Sequence, residues 1–126
     1  MPSDDAIELA QKLFDLARDG DTDHLAAYLD AGAPLDLRNE NGDTFLILAA
    51  YRDNPATVRM LIERGADLEA ENDRGQRALA CAVFKQDVQS TQALVAAGAD
   101  PDVGTPSARQ TAQMFGATEI LALLGG

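Results

Sequence analysis

Apolar and small residues recur at helical spacing in short segments of the chain, and clusters of turn-forming residues separate these segments. In residues 44–53, "TFLILAAYRD", the side chains of Leu46, Ala49 and Ala50 fall on one face of a helix. Thr44 precedes them and has a hydroxyl oxygen of the kind that accepts a hydrogen bond from a helix N-terminus. The pattern therefore predicts a short helix that begins after Thr44.

A second helix is predicted directly afterwards, in residues 54–65, "NPATVRMLIERG". Asn54 is a suitable N-cap, and Pro55 occupies the first helical position, where its missing N–H removes no hydrogen bond. Gly65 suits a left-handed C-cap. The following segment, "ADLEAENDRG", holds too many turn formers for a third helix, so it predicts a connector that projects outward, reverses and returns.

The connector and its helices recur along the chain at an offset of 33 residues. This offset pairs Gly32 with Gly65, Asn39 with Asn72, Gly42 with Gly75, Leu46 with Leu79, Ala49 with Ala82 and Gly65 with Gly98. A fixed period of this length is typical of stacked helical units that bury one another's apolar faces. The sequence therefore predicts a repeat architecture.

Residues 42–75, "GDTFLILAAYRDNPATVRMLIERGADLEAENDRG", resemble the repeat unit of the ankyrin repeat family. They carry that family's Gly-x-Thr, Leu-x-x-Ala-Ala and Gly-Ala-Asp features in order, and the resemblance covers residues 10–124. It implies an all-α repeat solenoid of about four stacked helix-turn-helix units, joined by β-turn or hairpin fingers, with terminal units that act as caps. We expect a single domain over residues 1–126. The expected units span approximately residues 1–42, 43–75, 76–105 and 106–126.

Two features depart from the family pattern. Its Thr-Pro-Leu-His sequence is replaced by "TFLI" at 44–47 and by "RALA" at 77–80, so the usual histidine-centred hydrogen bonds between repeats are not expected. Pairing Ala112 with Ala82 requires an offset of 30, so the third connector, "DPDVGTPS", is three residues short.

The ends of the chain are expected to differ from the internal units, because terminal repeats present a polar outer face. Residues 3–18 predict a first helix that is longer than its counterparts, with Ser3 as its N-cap. At the other end, Gln110, Gln113 and Glu119 are candidates for the polar face.

The composition is ordinary for one folded domain, with 126 residues of which 46% are hydrophobic and 25% charged. The formal charge of -11 argues against nucleic acid and anionic membrane surfaces, since both require Lys and Arg to neutralise phosphates. A basic partner is favoured instead. No apolar run approaches the ~18 residues of a membrane helix, and the start of the chain lacks a signal-peptide layout. We expect a cytoplasmic monomer.

One acidic segment raises the question of metal binding. Residues 19–30, "DGDTDHLAAYLD", place acids at positions 1, 3, 5 and 12 of a calcium loop. However, His24 stands where that loop needs glycine, and Asp30 replaces its bidentate glutamate. In the repeat this segment is the turn between two helices, with Asp21 or Thr22 as a cap, and this structural interpretation is favoured.

Catalysis is not expected from the remaining residues. Cys81 is the single cysteine and aligns with the apolar helix position of Leu48, so a buried, inert thiol is favoured over a nucleophile. His24 is the single histidine, lies in a turn, and supports neither a catalytic triad nor a zinc site. The glycines lack the Gly-Lys-Ser/Thr ending of a phosphate-binding loop. We therefore predict no enzymatic activity, no metal site and no cofactor.

The resemblance implies where a partner binds, because ankyrin proteins use their connector tips and inner helices, which line a concave groove. Transferred to this sequence, the tip positions are Glu40, Asn41, Asp43, Asp73, Arg74 and Gln76. The helix positions form two lanes, a first lane of Arg18, Tyr51, Phe84 and Met114 and a second lane of Asp19, Arg52, Lys85 and Phe115.

Two interpretations of these lanes remain open. Tyr51 lies about 140° round its helix from Leu46, so it is expected to be at least partly exposed. Exposed rings beside Arg52 and Lys85 resemble the anchors that dominate protein interfaces. Alternatively, the rings pack on one another along the groove beneath the aliphatic stems of Arg52 and Lys85. Both arrangements can hold together.

The leading hypothesis is a protein-interaction module that binds one protein partner in its concave face and has no catalysis of its own. A sharper variant is an acidic inhibitor or immunity-type protein that covers a basic enzyme or toxin. The alternative from another class is a metal- or small-ligand-dependent protein that uses the acidic segment 19–30.

Overall fold

The computed structural model describes residues 4–125, and over that range the chain folds into helices joined by loops, without a β-strand. The helices are α1 (Asp4–Asp19), α2 (Thr22–Asp30), α3 (Phe45–Tyr51), α4 (Pro55–Glu63), α5 (Ala78–Phe84), α6 (Val88–Ala96), α7 (Ala108–Phe115) and α8 (Thr118–Leu123). The all-α repeat solenoid expected from the sequence is confirmed. Ser3, the predicted N-cap of α1, lies outside the described residues. None of these helices is long and apolar enough to cross a membrane.

The helices form two layers. The inner row consists of α1, α3, α5 and α7, each packed against the next, and the outer row consists of α2, α4, α6 and α8 in the same order. Small side chains permit this close packing: Ala49, Ala50 and Ala82 are fully buried, while Leu61 and Leu94 fill the space between layers. Each unit thus covers its apolar face with its neighbours, as expected for a repeat of this period.

The short inner helices depend on this packing. Helix α3 has seven residues and would not be stable alone in water. It is capped by Thr44, whose Oγ1 accepts a hydrogen bond from the Ile47 N–H at 3.2 Å, as predicted. The six residues from Phe45 to Ala50 are all buried, because α1, α4 and α5 surround the helix. Tertiary packing therefore stabilises what helix propensity alone would not.

The glycines that recur at the ends of the outer helices have one structural role. Gly65 has φ +87°, follows the C-cap Arg64 of α4, and donates its N–H to the Ile62 carbonyl at 3.0 Å. The next N–H, of Ala66, bonds the Leu61 carbonyl at 3.1 Å, which completes a Schellman motif. The same arrangement repeats at Gly32 and Gly98. At the other end of α4, Asn54 is the N-cap residue but makes no capping hydrogen bond with its side chain.

Asparagine organises the first two fingers. The Asn39 N–H bonds the Asp43 carbonyl, and its side-chain oxygen accepts from the N–H groups of Asn41 and Asp43 at 2.9 Å. Asn72 makes the equivalent bonds in the next finger. The shorter third connector has no asparagine and instead forms an isolated bridge between Gly104 and Ser107.

Candidate functional site

The candidate site lies where the inner helices end beside the fingers. Tyr51 and Phe84 are the last residues of α3 and α5, and they are 43% and 51% exposed, respectively. The preceding residues of both helices are mostly buried between neighbouring units. The final position projects beyond this packing, so its side chain reaches solvent. The expected partial exposure of Tyr51 is confirmed.

Three rings form a continuous row, which we call the aromatic row: Tyr51, Phe84 and Phe115. The Tyr51 and Phe84 rings are stacked, and the Phe84 and Phe115 centroids lie 5.6 Å apart with a tilt of 56°. Phe115 belongs to the second lane in the sequence-based prediction, but its ring contacts Phe84 of the first lane. Met114, the assigned first-lane residue, is 67% exposed. The rings therefore pack on one another and remain exposed at the same time.

Positive side chains flank the aromatic row. The Lys85 ammonium lies 5.5 Å from the centroid of the Tyr51 ring, a distance at which the cation is attracted by the ring face. Arg52 is the exposed C-cap of α3. At the α1 end of the lanes, Arg18 is instead held by Asp15 of its own helix at 3.1 Å, and Asp19 is exposed.

A first cleft, the arginine cleft, separates α3 from the fingers and has a volume of about 260 Å³. It is lined by Asn41, Asp43, Ile47, Leu48, Tyr51, Arg52, Asn72, Arg74 and Gln76. Arg52 and Arg74 are both exposed there, and neither side chain makes an ion pair, hydrogen bond or ring contact with any described residue. The cleft thus contains two guanidinium groups that are available to a ligand.

A second cleft, the aromatic cleft, adjoins the first and has a volume of about 220 Å³. It is lined by Tyr51, Gly75, Gln76, Ala80, Cys81, Phe84, Thr105, Pro106, Thr111 and Met114. Cys81 is only 3% exposed, and burial, with a smaller effect of Asp43, raises the pKa of its thiol to about 12. The predicted burial of Cys81 is confirmed, and at neutral pH it carries no thiolate.

Some finger-tip residues are exposed, and others accept hydrogen bonds from Asn72. Glu40, Asn41, Asp73 and Arg74 are exposed, as expected for tips. Asp43 and Gln76 are partly buried, because the Asn72 Nδ2 donates to the Asp43 carboxylate at 2.9 Å and to Gln76 Oε1 at 2.8 Å. The bridging role of Asn72 was not predicted, although its recurrence with Asn39 was a signal for it.

The acidic segment 19–30 is a turn followed by a helix. Asp21 is the N-cap of α2, and its carboxylate accepts from the His24 N–H at 3.4 Å and lies 2.8 Å from the His24 Nδ1. These hydrogen bonds hold the pKa of Asp21 below its ordinary value. The predicted capping role of Asp21 is confirmed. Across the part of the chain that the structure describes, no group of three or more His, Cys, Asp or Glu side chains has a metal-binding arrangement.

Comparison with known proteins agrees with the architecture. The family model for ankyrin repeats, in three copies, matches residues 13–105. A curated protein of Pseudomonas aeruginosa, named "Putative ankyrin repeat protein PA3287", is 45% identical over 53 residues. The aligned segment covers 42% of this chain and 31% of that protein, so the likeness concerns less than half of the relative's length. Ankyrin repeats are in general protein-protein interaction modules that lack catalysis of their own. With most of its length matched by that family model, the chain belongs to the ankyrin repeat family.

Proposed function

We propose that this chain is a protein-interaction module that binds one protein partner in the groove formed by the aromatic and arginine clefts. The aromatic row carries this proposal. Its three rings are 43%, 51% and 44% exposed, and each contacts the next. Contiguous apolar surface of this kind is costly to leave in water and marks interaction sites on folded proteins.

The chemistry of the row suits a partner-binding centre. Aromatic side chains supply large apolar area with few rotatable bonds, and they are enriched among the residues that dominate interface affinity. Lys85 and Arg52 surround the rings with charge that can select a partner. Met114 would add apolar contact within the aromatic cleft. The other predicted binding residues would supply polar contacts: Arg18, Asp19, Glu40, Asn41, Asp43, Asp73, Arg74 and Gln76.

Affinity purification from the organism that encodes the chain, followed by mass spectrometry, would identify a partner. The dissociation constant is then measured for the wild type and for the double variant Tyr51→Ala, Phe84→Ala. We expect the double variant to weaken binding by about 2 kcal/mol or more, as for interface hot spots. Unchanged affinity would show that the partner binds elsewhere.

The matched control is the double variant Ile7→Ala, Leu9→Ala. These side chains are 43% and 41% exposed near the start of α1, far along the helix from Arg18. The control removes exposed apolar surface of similar size outside the groove. It should bind the partner as the wild type does, because the proposed contacts do not include this end of α1.

A further inference from the structure

Resting on the proposed function, we propose that the partner presents an acidic segment to the groove. In this complex a carboxylate of the segment pairs with Arg52 and Arg74, and a neighbouring large apolar side chain enters the aromatic cleft. The net charge of the whole chain favoured a basic partner. The distribution of charge within the groove favours the opposite.

The chain has ten Lys and Arg residues. Eight of their side chains already have partners. Two lie over aromatic rings, Lys12 over Tyr28 and Lys85 over Tyr51, and two donate hydrogen bonds, Arg38 to the Glu71 carbonyl and Arg59 to Gln89. The other four form ion pairs: Arg18 with Asp15, Arg64 with Asp30, Arg77 with Glu69 and Glu71, and Arg109 with Asp102. The two that remain, Arg52 and Arg74, line the same cleft, and their side chains have no partner among residues 4–125. In a chain with 21 acidic residues, two unpaired guanidinium groups in one place form a site suited to an external carboxylate.

The acids near the cleft do not cancel this charge. Asp43 lines the cleft, and its carboxylate, which accepts a hydrogen bond from Asn72, offsets one of the two guanidinium charges. Asp73 lies in the next finger, where its carboxylate is close to the Gly42 backbone. Asp53, the neighbour of Arg52, is directed toward Asp87. Two arginines and one engaged carboxylate leave the cleft with a positive local charge.

The two clefts share a wall, which places the two proposed contacts side by side. Tyr51 and Gln76 line both clefts. A carboxylate in the arginine cleft and an apolar side chain between Phe84 and Met114 are therefore neighbours on the same bound segment. Bidentate pairing with arginine fixes the orientation of the carboxylate, while burial of the apolar group supplies affinity.

A second copy of this chain is the alternative occupant. The start of α1 combines Asp4, Asp5 and Glu8 with the exposed Ile7 and Leu9, which is the chemistry that the groove would accept. However, a one-way contact of this kind is head-to-tail and leaves an unused groove on each assembly, so it grows into open chains unless it closes into a ring. The net charge of -11 on each copy also opposes self-association, and more strongly than it opposes a short acidic segment of smaller charge. A different protein is therefore the favoured source of the segment.

The test is selection of a random peptide library displayed on phage against the wild-type protein. We expect the enriched peptides to carry net negative charge and at least one large apolar residue. The affinity of an enriched peptide, measured by fluorescence anisotropy, should fall about tenfold or more in the double variant Arg52→Glu, Arg74→Glu. The difference in affinity between the wild type and this variant should shrink as salt is added, because salt screens the contribution of the two arginines.

The control reverses the same amount of charge outside the groove. In the double variant Lys12→Glu, Arg59→Glu, both changed residues are exposed and line neither cleft. This variant should retain affinity to within about twofold, because exposed charges at a distance are screened. Circular dichroism shows whether the Glu variant folds. If it does not, the double variant Arg52→Gln, Arg74→Gln repeats the test, because it removes the positive charges without adding negative charge that repels the peptide.

The outcomes separate this inference from the proposed function. Basic or neutral peptides that lose binding in Tyr51→Ala, Phe84→Ala would overturn the acidic segment but leave the groove as the binding site. Acidic peptides that bind all variants equally would overturn both. Failure to enrich any acidic peptide would overturn the inference. Self-association of the wild type in sedimentation, abolished by Ile7→Ala with Leu9→Ala, would show that a second copy is the occupant.

Discussion

The rings of Tyr51 and Phe84 lie almost parallel, with 7° between their planes and 6.3 Å between their centroids, although they end two different helices. Each ring still exposes roughly half of its surface to solvent. The repeat places both residues at equivalent helix ends, and stacking of the inner helices brings the ends together. The pair therefore links neighbouring repeats and leaves an apolar surface exposed to solvent.

The first prediction concerns the energy of this pair. A double-mutant cycle of Tyr51→Ala and Phe84→Ala in urea unfolding should give a coupling of about 0.5–1.5 kcal/mol, the usual value for contacting aromatic rings. Leu61→Ala should cost more than either single change, about 2–5 kcal/mol, because Leu61 is fully buried. If the aromatic double variant unfolds as readily as Leu61→Ala, the row is core, and its proposed role as a binding surface is wrong.

The second prediction concerns two equivalent finger glycines. Gly42 and Gly75 have φ +77° and +74°, so alanine is strained at both positions. A Cβ at Gly42 would lie 2.9 Å from the Asp73 backbone nitrogen, whereas at Gly75 the nearest atom is Glu71 Oε2 at 3.9 Å. We therefore expect Gly42→Ala to destabilise the protein by about 1 kcal/mol more than Gly75→Ala, because it forces the fingers apart.

Urea unfolding of the two glycine variants measures this difference. The collision also displaces the hydrogen bond from the Asp73 N–H to the Asn41 carbonyl, which is 3.0 Å long in the wild type. Equal unfolding midpoints would mean that the first finger adapts to the added methyl group. Gly75→Ala serves as the internal control for backbone strain.

The third prediction concerns the pH dependence of stability. Asp87 is the buried N-cap of α6 and accepts from the Ser90 N–H at 3.0 Å. Its carboxyl group lies beside that of Asp53 and raises the pKa of Asp53 above the ordinary 3.8, an effect that desolvation increases and Lys85 opposes. Above this raised pKa the Asp53 carboxylate is charged while it lies beside the Asp87 carboxyl group, which destabilises the folded state. As the pH falls through the raised pKa toward 3.8, the folded state takes up a proton before the unfolded state, and the repulsion is relieved.

Asp53→Asn should therefore stabilise the protein at neutral pH, and its advantage should shrink as the pH falls toward 3.8. Asparagine also tolerates the φ of +60° at this position, so a gain that does not vary with pH would come from the backbone instead. Urea unfolding midpoints of the wild type and the variant, measured across this pH range, distinguish the two causes. Asp23→Asn, on an exposed part of α2, is the control for loss of one negative charge.

The fourth prediction tests the acidic segment 19–30. Millimolar calcium should leave the melting temperature unchanged, because Asp21 caps α2 and the residues after it are helical rather than looped. A ligand that binds only the folded state must raise the melting temperature. A calcium-dependent rise of several degrees that disappears in Asp21→Asn would make the metal-dependent alternative correct.

The repeat, the helix pairs and several helix ends could be predicted from the sequence because they depend on residues close together in the chain. Thr44 caps α3 through an N–H three residues away, and the Schellman motif at Gly65 involves only its own helix. The period of 33 residues then repeats this local chemistry. The same period placed Tyr51 and Phe84 on one face, since helical spacing determines which side chains point away from the neighbouring unit.

The contacts across repeats were decided by tertiary structure. Spacing could not determine whether Met114 or Phe115 meets Phe84, because the answer depends on how the last turn of α7 lies against α5. Nor could it show that Asp53 approaches Asp87, or that Arg52 and Arg74 share a cleft while other arginines find partners. These relations depend on the distance and rotation between stacked units, and side-chain packing across the whole assembly sets both.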